Sequence, residues 1–368
     1  MPVQALLIGI GAICGISTFL AILMVIADAT IANYGDVKIK INEDKEVEVT
    51  GGKPLLSSLM EQRIFIPSAC GGRGSCGLCK VKVTSDAGEY LPTELPWITD
   101  EEKKDNIRLA CQLKLKKDIS IRIPEELFNV KEYLAEVVSL KDLTYDIKQV
   151  TLKLINPDDI SFKAGQYIQF QVPEYEMTAE PVYRAYSMAS HPSRKNDVEL
   201  EVRLVSNGIC TTYIFEHLKA GDSVTINGPY GDFFLRDTDS DIIFIAGGSG
   251  MAPIKSILND MADRGVERNI VYFFGARSVR DLFLLEEMKE LEKKLHNFTF
   301  VPALSEPQQG ENWKGETGLI TEVLDRHLKS GENVEAYLCG SPGMIDATKE
   351  VLIKRGVPEG LIYYDKFG

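Results

Sequence analysis

Ten residues constrain this chain more than any others. Cys70-Gly71-Gly72-Arg73-Gly74-Ser75-Cys76-Gly77-Leu78-Cys79 holds three cysteines and four glycines, and Cys111 follows inside RLACQ. A segment so rich in glycine folds as a loop, and thiols this closely spaced point to ligation. The spacing is C-x5-C-x2-C and then one distant cysteine. Four thiolates are what a [2Fe–2S] cluster needs, and a loop wrapping one needs positive φ and backbone N–H groups aimed at sulfur. The alternative is a structural zinc site, for which two CxxC pairs are expected and one is present. The chain has seven cysteines in 368 residues. An odd count in a chain this long reads poorly as a disulfide framework and suits a reducing compartment.

The second constraint is N-terminal. Val3 to Ala27 contains no charged residue. A helix needs about 20 apolar residues to cross the hydrocarbon layer. A cleaved signal peptide would want a basic leader, and only Met1 and Pro2 precede the run. A retained single-pass anchor is the expected reading, in the inner (cytoplasmic) membrane. Lys38 and Lys40 follow it, which by the positive-inside rule places the soluble domains in the cytoplasm. A net charge of −13 without a basic cluster excludes nucleic acid as a partner class.

The remaining chain changes rhythm twice. VKIKIN and EVEVT alternate as half-buried strands, Leu55–Gln62 reads as a helix, and Lys80–Thr84 and Leu113–Ile123 alternate again. These predict a small α+β domain over 34–127. Strand-like runs at Ala135–Leu140, Gln149–Ile155, Tyr167–Val172, Val198–Val205 and Ser223–Ile226 predict an antiparallel β-barrel over 128–236. From Asp241 strands alternate with helices, which predicts an α/β domain with a parallel sheet over 237–368. Residues 1–33 form the anchor.

Further motifs carry a resemblance. The cysteine loop resembles that of a plant-type ferredoxin domain of the β-grasp fold, with one more residue in the first interval, which implies Cys70, Cys76, Cys79 and Cys111 as cluster ligands. Arg184-Ala-Tyr186-Ser187 resembles the RxYS motif of ferredoxin–NADP reductase-like proteins. That resemblance implies FAD, with Arg184 on its pyrophosphate, Tyr186 on its ring and Ser187 near N5. Gly208-Ile-Cys-Thr211-Thr212 resembles the family's GxxS helix start, and Gly228-Pro-Tyr-Gly231 its GPxG turn. Gly247-Gly248-Ser-Gly250-Met251-Ala-Pro253 resembles its nicotinamide turn, with Arg277 at the end of the next strand as a further nucleotide residue. Cys339-Gly340-Ser-Pro-Gly-Met resembles its CGxxxM motif, which implies Cys339 beside the nicotinamide, and Phe367 fits the near-terminal aromatic that covers the flavin. An acid at Glu286 or Glu287 could accept from the adenosine ribose and favour NADH, or both could be a solvated helix start.

The order anchor, ferredoxin, flavin domain and nicotinamide domain resembles that of the F subunits of sodium-translocating NADH:quinone oxidoreductases. SACGGRGSCGLCKVKV, YLPTEL and RAYSMAS are the close local matches. The resemblance implies hydride transfer from NADH to FAD, then single electrons through the cluster to other subunits of a membrane redox complex or to a separate electron acceptor. The alternative is the reductase component of an oxygenase or another NADH-dependent electron-transfer system.

Overall fold

Alternation builds the first sheet. Strands β1 (Asp36–Ile41) and β2 (Lys45–Thr50) pair antiparallel, and Val37, Ile39 and Ile41 point into the core. The helix α2 (Leu55–Glu61) buries Leu55, Leu56 and Leu59 against that core. Each such side chain contributes about 1.5–3 kcal/mol of burial free energy. Strands β3 (Lys80–Val83), β4 (Ile107–Leu109) and β5 (Ile119–Arg122) complete a sheet in the order β2-β1-β5-β3-β4, with β1 and β5 parallel. One helix laid on a mixed five-stranded sheet is the β-grasp arrangement.

The computed structural model describes residues 2–31, 34–124, 127 and 130–367, and it divides into two compact units, Met1–Asn129 and Val130–Gly368. The first unit begins with α1 (Pro2–Ile31). Side chains in α1 are described for residues 9–25, so the uncharged run from Val3 to Ala27 extends beyond them. Ile13, Ile16, Phe19, Met24 and Val25 are all exposed. Among the described residues no helix is long and apolar enough to cross a membrane.

One local expectation in this unit needs correction, and one element was not foreseen. Leu113–Ile123 is a strand only from Ile119 to Arg122. Leu113 and Leu115 are buried as the alternation predicts, but their backbones bond to the chain at the start of α2: Leu55 N donates to Leu113 O and Leu115 N to Lys53 O. Alternation reports which side chains are buried, and here that burial comes without a strand. A short helix α3 (Asp100–Lys104) was also not foreseen. Thr99 caps it and Glu102 returns the bond, a capping box.

The second unit holds two sheets. Strands β6 (Lys131–Asp142), β7 (Ile147–Asn156), β8 (Tyr167–Val172), β9 (Val182–Ser187), β10 (Asp197–Arg203) and β11 (Ser223–Tyr230) are antiparallel in the order β10-β7-β6-β11-β8-β9. The edges meet where Met188 bridges Leu200 and Ala189 N donates to Glu199 O, which closes the sheet into a barrel. A short helix α4 (Ile209–Thr212) follows β10.

The last sheet is parallel. It contains β12 (Asp241–Gly247), β13 (Ile270–Ala276), β14 (Phe298–Leu304), β15 (Glu316–Thr317), β16 (Val334–Gly340) and β17 (Ile362–Lys366) in the order β15-β14-β13-β12-β16-β17. Helices α5 (Met251–Arg264), α6 (Leu285–Lys294), α7 (Ile320–His327) and α8 (Pro342–Lys354) connect the strands. The chain moves from β12 outward one way and then returns to place β16 on the other side. The strand order therefore reverses between β12 and β16, the place where such sheets bind ligands.

Candidate functional site

In the first unit, Gly71, Gly72, Gly74 and Gly77 all take positive φ, which bends the cysteine loop back on itself. Cys79 is followed at once by β3, and Cys111 lies just after β4. The pairing of Lys80 with Leu109, and the bond from Ala110 N to Cys79 O at 2.8 Å, bring those two cysteines together. Cys79 acts most strongly on Cys111 and Cys76 on Cys70, so the four thiols associate two and two. After Cys76, the N–H groups of Ser75 and Arg73 also lower the Cys70 pKa. Cys111 is lowered first by Cys79, then by Gln112 and the N–H of Gly74. Among the described residues no group of three or more His, Cys, Asp or Glu is placed to hold a metal ion. Two thiol pairs ringed by N–H donors fit a two-iron cluster, with two sulfurs for each iron.

A neighbouring loop is tied over this one. Arg108, 3% exposed, donates to both carboxylate oxygens of Glu94 at 2.9 and 2.7 Å and to the carbonyls of Ala87, Gly88 and Glu89. The same loop lays Trp97 on Gly77, where a Cβ would meet the indole at 2.7 Å.

In the second unit, Gly247 ends β12 and Cys339 and Gly340 end β16, on the two sides of the strand-order reversal. Gly250 approaches so closely that a Cβ on it would strike the Cys339 carbonyl oxygen. Gly248, at φ 58°, lies against Arg203 of the barrel. Met251 and Pro253 are buried in the first turn of α5, and the Met251 sulfur accepts from Tyr272 OH at 3.3 Å. Arg277 is exposed at the end of β13. Cys339 is fully buried, and burial followed by the nearby Asp365 carboxylate pushes its thiol well up.

The barrel brings its own residues to this point. Arg184, Tyr186 and Ser187 lie on β9, paired with β8. Arg184 donates to the Tyr183 carbonyl at 2.8 Å, and Tyr186 packs edge-on against Phe170 at 6.4 Å. The Ser187 hydroxyl faces and lowers the carboxyl of Asp365, which is the backbone partner of Cys339 across β16 and β17. Phe367 is half-buried against the core of the parallel sheet, its N–H bonded to Gly340 O. Gly208 precedes α4. The Thr211 hydroxyl is engaged with Val205 and the Gly208 carbonyl, while Thr212 beside it is half-buried.

Three family models match the chain: a 2Fe-2S iron–sulfur cluster binding domain at 39–116, an oxidoreductase FAD-binding domain at 134–235 and an oxidoreductase NAD-binding domain at 244–350. The F subunit of the Na(+)-translocating NADH-quinone reductase of Serratia proteamaculans is 38% identical, with 99% of each chain covered. The protein of that name in Mannheimia succiniciproducens is 40% identical over 98% of each. The chain belongs to this family of F subunits. Its cofactors are a [2Fe–2S] cluster and FAD, with NADH as the nucleotide. Among solved structures, a cytochrome P450 reductase of Amycolatopsis aligns with a TM-score of 0.73 at 27% identity, covering 90% of this chain and 98% of its own. The ferredoxin reductase of carbazole 1,9a-dioxygenase aligns at 0.69 and 28%, with the same coverage.

One residue of this reductase family member escaped sequence reasoning. Asp365 sits between Ser187 and Cys339, and burial, with the Asp232 charge behind it, raises its carboxyl to about 6. The signal was present: an acid near the carboxyl end of the strand IYYDK, where such sheets place ligands. Glu286 and Glu287 divide. Glu286 is a solvated helix start paired with Lys289 at 2.7 Å, and Glu287 turns to Lys255 at 3.3 Å.

The close approach at Gly250 yields a direct expectation. Gly250→Ala must push α5 from β16, an overpacking that costs about 1–3 kcal/mol. KM for NADH should rise while cluster absorption stays at the wild-type level, as measured by steady-state titration and visible spectra. An unchanged KM would mean that the turn can shift without consequence.

Proposed function

We propose that this chain is the NADH-oxidising, electron-input component of a sodium-translocating NADH-quinone reductase, anchored in the cytoplasmic membrane beside the other subunits. The observation that carries this reading is the presence, in one chain, of a paired-thiol loop and a nucleotide-type strand reversal, in a chain similar to the F subunits over nearly its whole length. The proposed layout is 1–33 anchor, 34–127 ferredoxin domain, 128–236 flavin barrel and 237–368 nicotinamide domain. The uncharged run Val3–Ala27 within helix α1, with Lys38 and Lys40 after it, supports the anchor and the cytoplasmic orientation of the rest.

Cys70 and Cys76 would hold one iron and Cys79 and Cys111 the other. Arg184 would clamp the flavin pyrophosphate with Gly208, Thr211 and Thr212, since a guanidinium fork suits phosphate oxygens. Tyr186 and Phe367 would pack on the flavin ring. Gly247, Gly248, Gly250, Met251, Pro253 and Arg277 would receive NADH, and Cys339 and Gly340 would lie beside its nicotinamide. When bound, FAD takes up hydride as a two-electron parcel and the cluster carries electrons singly. Ser187 and Asp365 then form a pair that can hold a proton at this point: below about pH 6 the half-buried Asp365 keeps its proton, and above that value it is an anion facing the Ser187 hydroxyl.

The test is an anaerobic absorbance titration of the full chain. Flavin and iron–sulfur bands should both bleach with NADH, with NADPH much slower. In membranes, the chain should resist an alkaline wash, and removal of residues 1–33 should release it. Absent cluster bands, or a flavin that neither nucleotide reduces, would overturn the reading. The oxygenase-reductase alternative has structural support from the two solved reductases, at lower identity than the F subunits. Quinone reduction in membranes separates the two.

A further inference from the structure

Strand β10 is two-faced. Val198, Leu200 and Val202 fill the barrel, while Glu199 and Glu201 point the other way and are nevertheless buried. Helix α5 covers them. Its Lys255, 6% exposed, places Nζ 2.6 Å from Glu199, 3.6 Å from Glu201 and 3.3 Å from Glu287 of α6. The same face of α5 continues the contact: Ser256 donates to the Ser190 carbonyl at 2.7 Å, and His191 reaches the Asn259 carbonyl at 3.2 Å and Asp263 at 3.1 Å. Both carboxylate oxygens of Glu201 are buried without a hydrogen-bond partner.

As packing alone this arrangement is poor, because apolar residues of similar volume would usually stabilise such an interface at least as well. What a buried ion cluster supplies is a fixed position. Lys255 lies one helical turn beyond Met251, about 6 Å along α5. The helix begins at the turn whose Gly250 abuts Cys339, and Gly248 of that turn abuts Arg203, two residues after Glu201 on β10. The outer face of β10 thus acts as a rail along which the turn and the first helical turn are seated. Hydride transfer needs reacting atoms about 3–3.5 Å apart, and a misplacement of about 1 Å can cost roughly a hundredfold in rate.

We propose that Lys255, gripped by Glu199, Glu201 and Glu287, is a positioning residue for hydride transfer that sets the register between the nicotinamide turn and the flavin barrel. The inference rests on the assignment of that turn to NADH.

The charged and titratable groups that face the cluster are Glu199 and Glu201 of β10, Glu287 of α6, Arg194 at 4.0 Å from Glu199, and Tyr272 of β13. Burial works against the Lys255 ammonium, and the carboxylates outweigh it and raise its pKa, so it stays charged. Burial first, opposed by Lys255 and reinforced by Glu199 and Glu287, raises Glu201 to about 8. Below that pH Glu201 carries a proton, and above it the interface gains an unbalanced negative charge.

The experiment is single-turnover flavin reduction by NADH in the full holoprotein. It compares the wild type, Lys255→Met, Lys255→Arg and the triple variant Lys255→Met/Glu199→Gln/Glu201→Gln. The triple variant strands no buried charge, so it keeps the test meaningful should Lys255→Met fail to fold. The triple variant should retain FAD and cluster absorbance and lose roughly tenfold to a hundredfold in limiting reduction rate. Its Kd for NADH should move by less than about threefold, because uniform binding is not what is removed. Lys255→Arg should recover most of the rate. In the wild type the limiting rate should decline as pH rises through about 8, and Glu201→Gln should abolish that decline. A loaded triple variant that reduces at the wild-type rate, or a loss confined to Kd, overturns the proposal. Failure of the wild type itself to be reduced by NADH overturns the NADH assignment instead.

Discussion

A Cys79→Ser chain should be isolated with its FAD and without its iron–sulfur spectrum. Cys79 is 1% exposed, and the Cys111 and Cys76 thiols both act on it. A serine oxygen is a harder and shorter ligand than a thiolate, and a cluster held by four thiolates tolerates it poorly. Electron delivery to one-electron or quinone acceptors should fall by about two orders of magnitude, since the single-electron carrier is gone. Flavin reduction by NADH should stay within about twofold of wild type, because the hydride step needs only the other cofactors. Those groups sit in the second unit, Val130–Gly368. The check is paired: paramagnetic resonance and visible spectra for the cluster, stopped-flow for the flavin. A variant that keeps a full cluster signal would remove Cys79 from the ligand set.

The largest stability effect should come from Glu94→Ala. Glu94 is fully buried and Arg108 nearly so, and the pair is bidentate. Truncating the acid leaves a guanidinium buried without its counter-charge, which costs about 3–5 kcal/mol. The damage reaches the cysteine loop by a short path. Arg108 lies on β4, three residues before Cys111, and β4 pairs with β3 directly after Cys79. Thermal unfolding should therefore come early, with cluster loss at lower temperature. Replacing both partners with apolar residues, Glu94→Leu with Arg108→Met, should recover part of the loss. Burial alone would raise the Glu94 carboxyl; Arg108 and the N–H groups of Leu91 and Leu109 outweigh it and hold it below 4.5. A lowered native pKa means stability that is full above about pH 4.5 and lost as pH falls through the native value. Glu94→Gln should flatten that part of the acid limb.

Local pattern carried most of the architecture. Strict alternation placed β1 and β2, and the change to alternating strands and helices after Asp241 placed the parallel sheet. Where the pattern misled, the reason was specific. Leu113 and Leu115 alternate and are buried, yet they bond to the chain at Lys53 and Leu55, a long-range partner that no window of sequence contains. The helix Asp100–Lys104 was legible in its capping box, and its short length hid it from periodicity. Strand β9 was not among the predicted strands, and only its motif residues stood out, because all but its last residue are half-buried and show no alternation.

Sequence alone determined the chemical inventory of this chain: four cysteines around interleaved glycines, an uncharged N-terminal run, and three motifs in fixed order. These are properties of residue type and spacing, and spacing survives any arrangement of the fold. The tertiary structure decided which groups meet. Ser187 and Asp365 are 178 residues apart in number, and the Ser187 hydroxyl acts on the Asp365 carboxyl. Lys255 meets Glu199 only because α5 packs on the outer face of β10. Burial also fixed the charge states there: a carboxyl on a strand is ordinary in sequence, and it becomes a proton holder only when packing removes its water.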